Sequence, residues 1–231
     1  MNQMFSLKNV SEQFLFDLVP SIADVAHIKE ASTNKYIYCN KITLERFGFN
    51  NLEQIVGTTV NDMNLFKQTY WGSGYADKIT KLDQQVKSTR EKICIFEETL
   101  DQNGQVLHQS LTKIPIFGKN NKVLSIFTMT QNLTHQLTLF ELYTLYKEYY
   151  SKNDATSHFI HHLNIATYFN EMPTDAETKI LIARSMTDSY KGMAKILNCS
   201  TKTIDMHLCH LRDKLHHGDI STLISHMQSR K

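Results

Sequence analysis

The stretch STKTIDMHLCHLRDKL, residues 200–215, decides how the C-terminal part of this chain folds. It contains no Gly or Pro, and Ile204, Leu208, Leu211 and Leu215 recur at i, i+4, i+7 and i+11. At about 100° per residue these side chains fall within about 60° of one another, which predicts a helix over 201–215 with one buried stripe. Ser200 and Thr201 supply hydroxyls for its N-terminus, where orphaned backbone N–H groups need acceptors. The opposite face gathers Lys202, Asp205, Met206, Cys209 and Asp213, with Thr203 and His210 on its flank. In an isolated domain that face is exposed.

Upstream, Asn198-Cys199-Ser200 makes a tight turn, and Ser189 caps a shorter helix carrying Met193, Ala194, Ile196 and Leu197. Before it, Thr174-Asp175-Ala176-Glu177 has the T-x-x-E form of a capping box, preceded by Pro173. Ile180, Leu181 and Ala183 give that helix its apolar face up to Met186. Downstream, a last helix over 219–227 buries Ile220, Leu223, Ile224 and Met227. Short helix, three-residue turn, helix is the helix-turn-helix plan. The first two turns of its second helix are what enters the major groove of duplex DNA.

In this register, residues 170–230 resemble the LuxR-type DNA-binding domain. That family reads T-x-x-E, then S-x-K-x-I-A-x-x-L, then S-x-x-T-[VI]-x-x-H-[LVR]-x-x-[IL]-x-x-K-L. The chain supplies Thr174, Glu177, Ser189, Lys191, Met193, Ala194 and Leu197, then Ser200, Thr203, Ile204, His207, Leu208, Leu211, Lys214 and Leu215. Met193 is the one departure, an apolar swap. The resemblance implies phosphate contacts from Lys191, Ser200, Thr203 and His207, and base contacts from Lys202, Asp205, Met206 and Cys209. Relatives commonly place a long donor at the outer base-reading positions. Asp205 can accept from cytosine N4 but repels phosphates, and Met206 and Cys209 offer only soft contact, for example to a thymine methyl. Modest affinity per domain is expected, and with it a need for dimerisation. The plainer readings are that Lys191 is a solvated helix lysine, that Asp205 serves the helix dipole and that Cys209 is a bystander thiol.

Composition bounds the rest. The chain has 231 residues, 41% hydrophobic and 21% charged, which excludes whole-chain disorder. From Thr174 onward there are nine Lys/Arg against six Asp/Glu, while the remainder has sixteen against seventeen. This tilt permits a nucleic-acid partner without establishing one. No apolar run nears the roughly 18 residues that span a bilayer, so no membrane partner is expected. Residues 1–10 lack a basic start followed by an apolar core, and the four cysteines lack CxxC spacing. Neither a secretory leader nor a zinc site is expected, and a cytoplasmic location follows.

Upstream of Pro173 the pattern changes. Residues 24–30, 36–40, 93–100, 106–117 and 123–132 are rich in β-branched and aromatic residues, separated by turn clusters such as Asp101-Gln102-Asn103-Gly104 and Gly118-Lys119-Asn120-Asn121. A strand pair, a mostly helical 41–91, then three more strands give an α+β domain: a five-stranded antiparallel sheet with helices on one face. YIYCN (36–40), KITLERFGF (41–49), LEQIVGT (52–58) and the closing Asn132-Leu133-Thr134 resemble the PAS sensor fold over residues 12–134. The expected organisation is an N-terminal extension (1–11), a PAS-like domain (12–134), a connecting helix and linker (135–169) and an all-α four-helix LuxR-type domain (170–231).

The connecting stretch 134–151 places Leu139, Leu142, Tyr146 and Tyr149 at helical spacing, a face for its own sheet or for a second copy of the chain. His158, His161 and His162 sit at i, i+3 and i+4 without carboxylate or Cys companions, and read as packing. The LOV-type resemblance fails, because Thr58-Thr59-Val60-Asn61-Asp62 stands where the flavin-linking Cys belongs. His27 and His108 are the remaining candidates for a haem ligand. Phe96, Phe117, Phe127, Met129 and Trp71 are candidates to line a pocket for an unknown small molecule, and no cofactor is expected. No nucleophile–base pair, phosphate loop or paired carboxylate points to an enzyme. These readings converge on a dimeric transcription regulator that binds duplex DNA. The alternatives are a signalling adaptor whose helix-turn-helix contacts protein, and an acyl-homoserine-lactone-type receptor.

Overall fold

The computed structural model of the chain describes residues 12–63, 71–72, 74–118, 120–216 and 219–228. Its contacts fall into two units, residues 1–133 and 134–231.

The first unit is built on β1 (Val25–Glu30), β2 (Tyr36–Cys39), β3 (Ile93–Leu100), β4 (Val106–Phe117) and β5 (Val123–Asn132). They form one antiparallel sheet in the order β2-β1-β5-β4-β3. The β3–β4 turn closes because the Asp101 carboxylate accepts from the Asn103 and Gln105 N–H groups, with Gly104 at φ 74°. Such a conformation costs glycine nothing. Between β2 and β3 run α2 (Lys41–Phe47) and α3 (Tyr75–Thr89). Asn40 fixes the start of α2: its Oδ1 accepts from Thr43 N at 2.9 Å while its Nδ2 donates to the Ile22 and Asp24 carbonyls. One side chain therefore caps the helix and ties it to the chain entering β1.

Helices on a single face were expected, but the sheet is covered on both. Leu15 of α1 (Glu12–Leu18) and Val19 pack on Ala26, Ile28, Ile116 and Phe127. On the other face Val60, Ala76 and Ile79 meet Leu111. The reason lies in β1, whose first five residues are all buried and so need cover on both sides.

The second unit is helical: α4 (Leu139–Tyr149), α5 (Lys152–His162), α6 (Asp175–Met186), α7 (Tyr190–Leu197), α8 (Thr201–Lys214) and α9 (Ile220–Gln228). Capping boxes open α4 (Thr138, Glu141) and α6 (Thr174, Glu177). The apolar face of α4 is covered by α5. Tyr143 and Tyr146 pack on Phe159, and the Tyr143 hydroxyl shares a hydrogen bond with Thr156 and donates to Asp175 of α6. Burial pushes the Tyr143 phenol up to about 12. Among the described residues no helix is long and apolar enough to cross a membrane.

Candidate functional site

Two places hold the candidate residues. The first is the α7–α8 pair. Met193 of α7 and Ile204, Leu208 and Leu211 of α8 are buried, so the apolar stripe points inward. Leu215 lies just past the helix end, where a bridge to Phe169 and the Asn170 N–H to Lys214 O bond hold the exit of α8. Asn198 at φ 50° ends α7, and Ser200 caps α8 by accepting from Thr203 N at 3.0 Å.

Lys202, Asp205 and Cys209 are exposed, and Met206 keeps 46% of its surface in water. Lys191 and Ser200 are exposed; Thr203 is half-buried and its hydroxyl bonds Ser200 Oγ at 2.8 Å. His207 is also half-buried, with a fully covered Nδ1 that has no hydrogen-bond partner. Sequence reasoning missed Arg212, whose guanidinium bonds the Tyr190 hydroxyl of α7 and approaches Cys209 Sγ at 3.8 Å. The thiol is thus engaged from its own helix.

Behind this face, donor atoms of Glu177, His207 and His210 lie within 4.8 Å of one another. The Glu177 carboxylate already accepts from Thr174 N and pairs with Lys214 Nζ at 3.1 Å. Burial alone would raise its pKa, but those partners hold it below the usual range. A cation there would have to displace an ammonium. The other histidines disperse: His158 stacks on Tyr150, and His162 Nδ1 meets the Tyr146 hydroxyl at 2.8 Å.

The second place is a cavity of about 50 Å³ in the sheet unit, between the sheet and its helices. Its walls come from β1 (Val25, His27), β4 (Gln109, Leu111, Lys113), β5 (Thr128, Thr130), α2 (Arg46, Phe47) and the Trp71–Tyr75 pair. Behind the wall, Asp83 of α3 accepts from Lys29 Nζ at 3.0 Å and Lys113 Nζ at 2.5 Å, all three side chains no more than 1% exposed. Burial tends to raise the Asp83 carboxyl, and the two ammoniums bring it below the ordinary range. Burial and the neighbouring Lys113 pull Lys29 down to about 8. A second buried acid, Glu97, accepts from Tyr75 Oη, Lys78 Nζ and Gln109 Nε2.

Of the five expected pocket residues, Trp71 lies in the wall. The others are elsewhere, and this corrects the expectation. Phe127 and Met129 sit on the opposite face of β5, with α1 and Val19. Phe96 is 67% exposed and stacks on His108, and the Phe117 ring lies under Arg90. Alternation along a strand explains it: Thr128 and Thr130 face the cavity, so Phe127 and Met129 cannot. Of the two haem candidates, His27 lines the cavity, while His108 lies by Phe96 and pairs with Glu98.

Among solved structures, the chain is similar to VqmA of Vibrio cholerae in a complex with ligand and DNA. There the identity is 17%, the TM-score 0.49, and 96% of this chain and 88% of that one are covered. It is similar to a phage VqmA–DPO complex at 21% identity and TM-score 0.46, covering 94% and 86%. The PAS domain of Bordetella pertussis BvgS is similar at 17% identity and TM-score 0.47, covering 59% and 96%. No curated protein matches the chain. Residues 19–137, just over half of the sequence, match the PAS fold, and the chain belongs to that family.

Proposed function

We propose that the chain is a DNA-binding transcription regulator in which the PAS unit senses a small molecule and α8 reads the major groove. The exposed first turns of α8 carry this reading: Lys202, Asp205 and Met206 face water beside a buried stripe that fixes their direction. Lys191 and Ser200–Thr203 lie at the N-terminal ends of two consecutive helices, where backbone N–H groups and the helix dipole favour phosphate. With one acid and two soft side chains at the base-reading positions Asp205, Met206 and Cys209, each domain contributes modest affinity. Function therefore calls for a dimer on two half-sites. An occupant of the cavity acts by shifting the population of DNA-competent arrangements, with no chemistry performed.

The test is selection of the full chain against a random duplex library, repeated with Lys191→Ala/Thr203→Ala. Enrichment of a two-fold symmetric motif that the double variant loses is the expected result. A folded protein that enriches nothing at low salt overturns it. Exposed Asp205 and Asp213 would then favour the second reading, an adaptor that presents the same face to a protein.

A further inference from the structure

We propose that the cavity takes a small organic anion, a carboxylate of a few heavy atoms, seated against Lys113 and Arg46. The inference rests on reading this unit as a sensor and names the class of molecule sensed. Among the described residues the cavity wall includes two cations, Arg46 and Lys113, and no Asp or Glu. The acid behind it, Asp83, is shared by two buried ammoniums, one on each oxygen. One carboxylate cannot neutralise two ammoniums, and an unbalanced charge in a medium of low dielectric is costly until a counter-charge joins it. Glu97 does not supply one, because Tyr75, Lys78 and Gln109 already occupy it. Burial, and after it the second ammonium of Lys113, lower the Lys29 ammonium against the pull of Asp83.

Two further observations point into the same space. Arg46, half-buried and in the field of Asp101, has five N–H donors and gives one to Gln109 Oε1 at 3.0 Å. His27, only 5% exposed, lines the wall with an Nδ1 that has no partner. Burial, then Lys29 and Lys113, keep that imidazole neutral, so it offers one polar atom to a hydroxyl or keto group beside the carboxylate. A volume of about 50 Å³ equals a few water-sized spheres at roughly 10–15 Å³ each, which suits acids from acetate to pyruvate.

The experiment is thermal unfolding of the full chain with acetate, propionate, lactate and pyruvate, against acetamide, propionamide and sodium chloride at matched ionic strength. At least one acid is expected to raise the midpoint by about 3 °C or more, saturably, while amides and chloride do not. Lys113→Met leaves a balanced Lys29–Asp83 pair, so it is expected to fold and to lose the acid-specific shift. Arg46→Gln is expected to weaken the apparent affinity about tenfold. Should Lys113→Met not fold, Arg46→Gln and the acid–amide contrast decide. Equal shifts from acids and amides, a shift from chloride alone, no shift from any acid, or full retention in the folded variants would each overturn the proposal. Binding without any change in DNA affinity leaves the anion site standing and removes the sensor reading; DNA binding without acid binding does the reverse.

Discussion

The cavity wall and the exposed face of α8 are opposite solutions for displaying polar chemistry. On α8, Lys202, Asp205 and Met206 come from one continuous helix whose buried stripe aims them outward. In the cavity, Lys113, Arg46 and His27 come from β4, α2 and β1, and the buried Lys113 ammonium shares the one Asp83 carboxylate of α3 with Lys29. An exposed charge is solvated and costs little, whereas a buried one depends on every partner being present. Substitutions in the cavity should therefore register as stability, and those on α8 as affinity.

The largest effect should come from Asp83→Asn, which strands two buried ammoniums and should cost about 3–5 kcal/mol. Urea unfolding followed by Trp71, the single tryptophan and a residue of the cavity wall, reports it directly. Lys113→Met should change the same transition by less than about 1 kcal/mol, or raise it, because it restores a one-to-one pair. If the two variants were equally damaging, the charge imbalance argument would fail.

On the helical side, Leu208→Ala should cost about 2–5 kcal/mol by opening a void behind α8, read from the loss of helical circular dichroism in denaturant. It would sharpen the contrast by showing that the recognition face depends on its apolar backing.

Titration separates the regions further. Lys29 has a folded pKa of about 8, below its ordinary 10.5. Above pH 8 the folded chain sheds a proton that the unfolded chain keeps, so the unfolded state binds more protons and stability rises with pH. The gain should reach up to about 1 kcal/mol between pH 8 and 9 and vanish in Lys29→Met. Beyond pH 9 the Cys39 thiol, pushed by burial to about 11, works the other way. The groups facing Lys29 are Asp83, Lys113, Lys87 and the Tyr36 ring. His27, held neutral by burial, should also make stability fall as pH drops below 6.5. Ser200→Ala, which removes the acceptor for Thr203 N, should cost about 1 kcal/mol.

Legibility in the sequence followed the same division. Strand limits were readable because turn residues such as Asp101, Gly104 and Asn121 bracket β-branched runs. The caps Asn40, Thr174 and Ser200 were readable because an N-cap is a local matter of side chain and spacing. The cavity was not. Aromatic residues are the natural expectation for its lining, yet apolarity does not say which face of a strand encloses space. Lys29 and Lys113 would ordinarily be counted as solvated. The available signal was their phase: Lys29 shares a strand face with Val25 and His27, and Lys113 with Gln109 and Leu111, residues that line the cavity. The cover of α4 by α5 was missed for a similar reason. The histidines of SHFIHHL are its most conspicuous residues, while Phe159 and Ile160 are what it buries.

The central claim is that the exposed face of α8 contacts DNA. It is tested most directly by fluorescence anisotropy of the full chain on a duplex pool, across about 50–200 mM salt. Wild type is compared with Lys191→Ala/Thr203→Ala and with Phe96→Ser, a control on the sheet unit. The account predicts that the double variant binds at least about tenfold more weakly, with a salt slope reduced by about one, while Phe96→Ser matches wild type. Equal affinity and slope in all three would contradict it.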